Sequence, residues 1–359
     1  MFCKKKELNL HVFFGIVLFS SLLLLSQNSF CQNCTSLCLK TSSGTFFGAN
    51  LDLMWGDGLI FVNRRGISKQ GYLTNTLGKT AKWTSKYGSL TFNLVGREFA
   101  WCGINEAGLV ISTMSLDSTN LPEEDERPPL VSGFWVQYML DNCKNVSEVI
   151  ATDSLVRLAE DKCHFLVADL NGNCASIEFL KGKLIYHTGK ELPIAAQTNN
   201  PYSELLDYYH KNLIPPSDPF HSVRRFIDVA AKINSFDEQT DTSAIGYLSN
   251  ILTKEVKMED TKWSIFFDIE KREVYFQTKD SPKLKSIQLN GFDLSCDAPF
   301  KMLDVNVQSS GDVSSKFFNY DHKLNLMMFT KFCERWGVDV SSKNAKALIY
   351  FLDGFSCAK

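Results

Sequence analysis

After Thr35, Leu37 and Leu39 alternate with polar or small residues, Ser43-Gly44 interrupts them, and Phe46-Phe47 begin a second apolar run that reaches Leu51. A period of two on both sides of a turn predicts a β-hairpin starting at Cys34. Similar runs predict strands at 59–62, 90–95 and 109–114. The stretch 122–129 mixes acids with three prolines, which predicts an exposed loop. Helical spacing follows at 134–140 and 146–158. Strands return at 164–168 and 175–180, joined around Asn171-Gly172, a strong hairpin signal. Three amphipathic helices are expected at 202–209, 223–233 and 244–252. Two strands at 263–267 and 274–277 flank the charged turn 270–272, and helical patterns close the chain at 324–336 and 345–352.

This order lacks the regular alternation of strand and helix that builds a parallel sheet. It predicts an α+β fold in which antiparallel sheets lie under helical layers. No Pro/Gly/Ser-rich linker divides residues 34–359, so one domain is expected there. Composition changes little: 44% apolar residues is ordinary for a globular core, and a net charge of -2 offers no basic stripe for nucleic acid.

The first residues carry a different pattern. Lys4, Lys5 and Lys6 precede an apolar run over 12–25, and polar Gln27, Asn28 and Ser29 follow. That is the layout of a secretory signal peptide over 1–31, with small residues Ser29 and Cys31 at the cleavage site. The run is shorter than the ~20 residues that cross a bilayer, so no stable membrane anchor is expected. Residues 32–33 then form a short propeptide. The expectation is an exported protein, periplasmic or secreted.

Export bears on the eleven cysteines, because an oxidising compartment permits disulfides, although scattered spacing leaves the pairing open. The six histidines are dispersed, and neither a metal nor a cofactor is expected. Assembly of identical chains stays open.

Removal of residues 1–33 would make Cys34 N-terminal, with its own α-amino group, whose ordinary pKa of ~8 suits proton transfer near neutrality, as a built-in base. Several motifs accompany it. The second hairpin strand runs Phe47-Gly48-Ala49-Asn50-Leu51-Asp52; Trp83 to Ser89, Gly103 to Leu109, Gln197-Thr198-Asn199-Asn200-Pro201 and Arg224-Arg225-Phe226 follow in order. With these the sequence resembles the choloylglycine hydrolase family of bile salt hydrolases and penicillin V acylases, nearer the acylases of Gram-negative bacteria.

The resemblance implies a four-layer αββα N-terminal nucleophile hydrolase fold with two stacked antiparallel sheets. It implies that Cys34 is the nucleophile, Asp52 the carboxylate that holds the new amine, Asn199 an oxyanion donor and Arg225 a guanidinium near the thiol. The substrate would be a small N-acyl amide of the penicillin V, N-acyl homoserine lactone or conjugated bile salt type. Its acyl group is expected to be apolar, since 27 phenylalanines supply ample wall material.

Each residue taken singly has a plainer explanation. Asp52 could cap a turn, Asn199 could start a helix before Pro201, and one member of the Arg224-Arg225 pair is usually exposed. Asn105 and Gly108 read as turn geometry, and Trp83, Trp101 and Trp263 as core or pocket wall. Two positions depart from the family: Ala49 stands where many relatives have arginine, and Ser115 where asparagine or tryptophan is found. A secreted binding protein on the same scaffold is the alternative function. A hydrolase with an internal triad ranks last, since no GxSxG elbow occurs.

Overall fold

The computed structural model describes residues 34–71, 79–241, 243–336 and 342–358, so the expected signal peptide and propeptide lie outside the described residues. At its centre two β-sheets stack. The first runs, in spatial order, Ala196–Gln197, Thr35–Thr41, Gly44–Asp52, Thr261–Asp268, Glu273–Thr278, Lys285–Gln288 and Gly311–Asp312. The second runs Lys183–Thr188, Cys174–Leu180, Cys163–Ala168, Val110–Ser115, Ala100–Asn105, Ser89–Asn93, Leu59–Asn63, Lys301–Asp304 and Phe318–Asn319. Neighbouring strands are antiparallel, except that the short edge strand Gly311–Asp312 runs parallel to its partner. The α+β expectation, with two stacked antiparallel sheets and helices, is met.

The strand Gly44–Asp52 is buried over nearly its whole length. Its pattern is apolar on both faces because one face meets the other sheet and the opposite face meets helices, which is why the run from Phe46 to Leu51 lacks clean alternation. Between the sheets, Phe92 packs on Phe276 and Trp263, and Trp101 meets Trp263 edge to face at 6.0 Å. The helix Ser132–Asn142 packs on the second sheet, while Ser222–Ser235 and Ala244–Asn250 pack on the first. Trp101 and Trp263 are thus core residues. Trp83 is also buried, and its indole donates to Asp141 in a buried group that includes Lys69 and Glu98.

Two helices end earlier than their periodicity predicts. The helix expected over 146–158 stops at Ala151, tightens into a 3₁₀ turn at Thr152–Ser154, and gives way to a strand, Arg157–Leu158. Tertiary pairing wins there: the amides of Arg157 and Ala159 donate to Pro128 and Leu130, so the end of the proline-rich loop becomes a strand partner. The helix Ala244–Asn250 passes into a π-helical turn, Ile251–Glu255, whose Leu252 carbonyl accepts from Asn50 Nδ2 at 2.7 Å.

Several strands escape the sequence pattern, among them Ala100–Asn105 and the exposed edge Lys183–Thr188. Among the described residues one disulfide, Cys296–Cys357, ties the C-terminal strand Ser356–Cys357 to the loop after Phe292; that strand pairs with Ile67–Gln70. Among the described residues no helix is long and apolar enough to cross a membrane.

Candidate active site around Cys34

Cys34 stands immediately before the strand Thr35–Thr41 and is fully buried. Side chains of a strand alternate between its faces. Ser36 meets Ser112 of the second sheet through their hydroxyls, whereas Thr35 turns to the helical side, where Arg225 donates to its hydroxyl. The strand start therefore touches both layers. Cys102 of the second sheet senses Cys34: burial first, and then Cys34, push the Cys102 thiol well above its ordinary value.

Arg225 links two of the other expected site residues. Its Nη1 donates to the Cys34 carbonyl at 2.7 Å and its Nη2 to Asn199 Oδ1 at 2.8 Å. The helix Ser222–Ser235 brings it there because Ser222, Arg225, Phe226 and Val229 fall on the buried stripe of a 3.6-residue period. Arg224 is exposed, and its amide and that of Val223 are capped by Asp218. Burial pulls the Arg225 pKa down; Asp52, then Cys34, then Asp218 oppose that fall. A guanidinium has donors only, so the contact with Arg225 fixes which end of the Asn199 amide is oxygen.

The other end of that amide, Nδ2, donates to both the carbonyl and the hydroxyl of Ser115, at 3.0 and 3.1 Å. The Asn199 backbone amide donates to Ser222 Oγ at 2.9 Å. Helix capping does not explain this residue. Pro201 holds the N-cap position of Tyr202–Lys211, and the Asn199 side chain points away from that helix to Ser115 and Arg225. Ser115 therefore braces the amide through a short side chain and a backbone carbonyl.

Asp52 ends the strand Gly44–Asp52. Thr35 pairs with Asn50 in the hairpin, so continuing that register sets Cys34 opposite Leu51, one residue from Asp52. The Asp52 carboxyl is fully buried; Thr261 Oγ1 donates to Oδ1, and Oδ2 has no hydrogen-bond partner among the described residues. Burial raises its pKa from 3.8 to about 7, against the pull of the Arg225 charge and the Thr261 hydroxyl. A buried carboxylate oxygen without a donor is costly, so this position favours either a proton or a cation. Turn capping does not account for Asp52.

Asn105 behaves as turn geometry: its Nδ2 donates to the carbonyls of Leu140 and Cys143, its Oδ1 accepts from Leu109, and Gly108 adopts φ +89°. Ala49 is buried in the strand that leads to Asp52. Thr261, Ser222 and Thr198 complete the surroundings and carry no sequence signal, since each acts through a partner distant in the chain. Among the described residues one group has metal-ligand spacing, Cys296, Asp297 and Cys357, and its two sulfurs form the disulfide. What the arrangement around Cys34 offers is a thiol, a guanidinium, an oriented amide N–H and a buried carboxyl, a set suited to acyl transfer.

Comparison with known proteins agrees with that chemistry. The sequence pattern of the family described as linear amide C–N hydrolases, choloylglycine hydrolase family, matches residues 34–215. A penicillin V acylase of Pectobacterium atrosepticum is 29% identical over 140 residues, a stretch covering 33% of this chain and 36% of that relative. The fold is similar to that of the penicillin V acylase from Agrobacterium tumefaciens, with a TM-score of 0.65 and 22% identity over 80% of this chain and 98% of that one. It is also similar to a variant of the conjugated bile acid hydrolase from Clostridium perfringens, with a TM-score of 0.61 and 19% identity over 75% and 96% of the two chains. The chain belongs to the linear amide C–N hydrolases of the choloylglycine hydrolase family.

Proposed function

We propose that this protein is exported, is processed so that Cys34 becomes its first residue, and hydrolyses N-acyl amides through an acyl-enzyme on the Cys34 sulfur. The substrates fitting this reading have an apolar acyl group, as in penicillin V, N-acyl homoserine lactones or conjugated bile salts. The observation that carries it is the buried Asp52 carboxyl, whose Oδ2 has no donor among the described residues and which lies one residue beyond the position that the hairpin register sets opposite Cys34.

In this mechanism the α-amine takes the thiol proton and the thiolate attacks the carbonyl carbon of the amide. Charge develops on the carbonyl oxygen, and Asn199 Nδ2–H turns from Ser115 toward it. The α-ammonium returns its proton to the departing amine as the C–N bond breaks. Water, deprotonated by the same amine, then attacks the thioester, releasing the acid and restoring the thiol. Arg225 holds the Cys34 carbonyl and the Asn199 oxygen throughout, and its charge favours thiolate.

Asn199→Ala is expected to lower kcat by about 10²–10³ with a small change in KM, the loss typical of one oxyanion donor. Steady-state kinetics on any accepted amide reads this; a loss confined to KM would assign Asn199 to binding. The direct test of the whole reading is the intact mass and N-terminal residue of the exported protein, taken beside amine release from penicillin V, conjugated bile salts and N-acyl homoserine lactones. A chain that begins at Cys34 and releases amine is the expected result. A homogeneous, active chain beginning at Gln32 or earlier would end the mechanism, because the thiol would have no α-amine beside it.

A further inference from the structure

The strand that begins after Cys34 presents a row of side chains to the second sheet. Ser36 meets Ser112 across the interior. Two residues on, Cys38 lies beside the Cys174 thiol and acts on it, raising its pKa. Two further, Lys40 lies over the turn at Gly172: its Cε and Nζ are each 2.8 Å from the point that a Cβ on Gly172 would occupy. The contacts advance with the period of a strand, and on the opposite side Gly172 and Cys174 are likewise two residues apart. Contacts on either side of the thiol pair therefore fix its alignment.

Both cysteines are buried, at 4% and 9% exposure, and neither takes part in the Cys296–Cys357 disulfide. Their backbones are anchored as well: the Cys38 amide donates to the Ala195 carbonyl at 2.8 Å, and the Cys174 carbonyl accepts from Thr188 Oγ1 at 2.8 Å. Two neighbouring thiols on anchored strands of different sheets are placed for a cross-link between those sheets.

We propose that Cys38 and Cys174 close a disulfide that joins the two sheets four residues beyond the nucleophile, formed by exchange with a small-molecule or protein disulfide as the chain folds. One cysteine, as thiolate, attacks a sulfur of the oxidant and expels one thiol. The second cysteine attacks the resulting mixed disulfide and expels the other. The pair loses two electrons and two protons, and the oxidant becomes two thiols. Closure belongs to folding rather than to the finished structure, since the contact with Cys38, and then burial, push the Cys174 thiol well up and make it a poor nucleophile once packed. The geometry does not depend on the proposed function; only the oxidising compartment rests on the export reading.

Redox buffers separate the two. The full chain, wild type and Cys34→Ala, is refolded from the reduced, denatured state in glutathione buffers of rising disulfide content, alkylated, digested with pepsin at acid pH and sequenced by fragment ions. Cys34→Ala removes the cysteine nearest Cys38 in sequence. The observed Cys296–Cys357 bond serves as the internal reference. At ratios that close it, Cys38 is expected to be joined to Cys174 in most molecules. Reduction is also expected to lower the melting temperature of the wild type by about 5 °C more than that of a Cys38→Ala/Cys174→Ala double variant, as removal of a cross-link closing a long loop should. Alkylated Cys38 and Cys174 in molecules with Cys296–Cys357 closed would overturn the proposal. So would Cys38 bonded to glutathione or to any cysteine other than Cys174.

Discussion

Cys34→Ala is expected to reduce amide hydrolysis at least 10⁴-fold while leaving the fold intact. The magnitude follows from the chemistry: without sulfur there is no acyl-enzyme, and removing the nucleophile of a covalent hydrolase leaves only what binding and the oxyanion donor supply. The small effect on folding follows from position. Cys34 is buried, but it precedes the strand, and alanine keeps its backbone carbonyl, the group that accepts from Arg225. Cys34→Ser tests the same step more finely, since a hydroxyl in place of the thiol gives the α-amine a much weaker acid to deprotonate. Circular dichroism and thermal melting check the fold; amine release checks turnover. Iodoacetamide should inactivate the wild type in step with alkylation at Cys34, and substrate should slow it. Wild-type rates from a folded Cys34→Ala protein would remove Cys34 from the mechanism.

The hairpin beginning at Cys34 was legible in sequence because its strands alternate around a Gly-containing turn, and local signals decide such a structure. The strand Ala100–Asn105 was not, since Ala-Trp-Cys-Gly-Ile-Asn has no period of its own and acquires its conformation from the strands on either side. The same distinction divides the site. Cys34, Asp52, Asn199 and Arg225 could be singled out as candidates because the motifs that carry them stand in the same order as in the family they resemble. That Arg225 ties the Cys34 carbonyl to the Asn199 amide could not be foreseen, because those contacts join segments 191 and 26 residues away from it in the chain. Ser115 was legible only as a departure from the family. Its part in holding the Asn199 amide depends on two segments that the fold brings together from 84 residues apart.

That bracing also changes what the departure means. A larger asparagine or tryptophan at this position would offer the substrate a different side chain, whereas the serine hydroxyl and carbonyl are both engaged by Asn199. Ala49 is likewise small and buried, so both positions expected to depart from the family carry little side-chain bulk, and Ala49 brings no charge. Neither small residue disturbs the grouping of Cys34, Asn199 and Arg225.

Asp52→Asn is expected to act in opposite directions on two forms of the chain. While residues precede Cys34, its nitrogen is an uncharged amide, and the buried Asp52 carboxyl has a pKa of about 7 against 3.8 in its ordinary state. A folded pKa above the unfolded one means that the folded state retains a proton the unfolded state releases. The stabilisation is therefore full below about pH 4 and is lost as pH rises toward 7, an effect of up to ~4 kcal/mol from a shift of this size. Asparagine is uncharged at every pH, so the unprocessed variant should be the more stable of the two at pH 7 and should lose that slope. Once Cys34 is N-terminal, its ammonium supplies the cation that Asp52 Oδ2 lacks, the carboxyl pKa falls, and the sign reverses: stability is then lost as pH drops through the new value. In that form Asp52→Asn leaves a buried ammonium without its counter-charge, costing about 3 kcal/mol or more, and misplaces the base, lowering kcat by about 10³. Denaturant unfolding of the four proteins between pH 4 and 8 measures both signs. Equal destabilisation of the processed and unprocessed forms would show that Asp52 does not partner the Cys34 amine, whatever the activity of the variant.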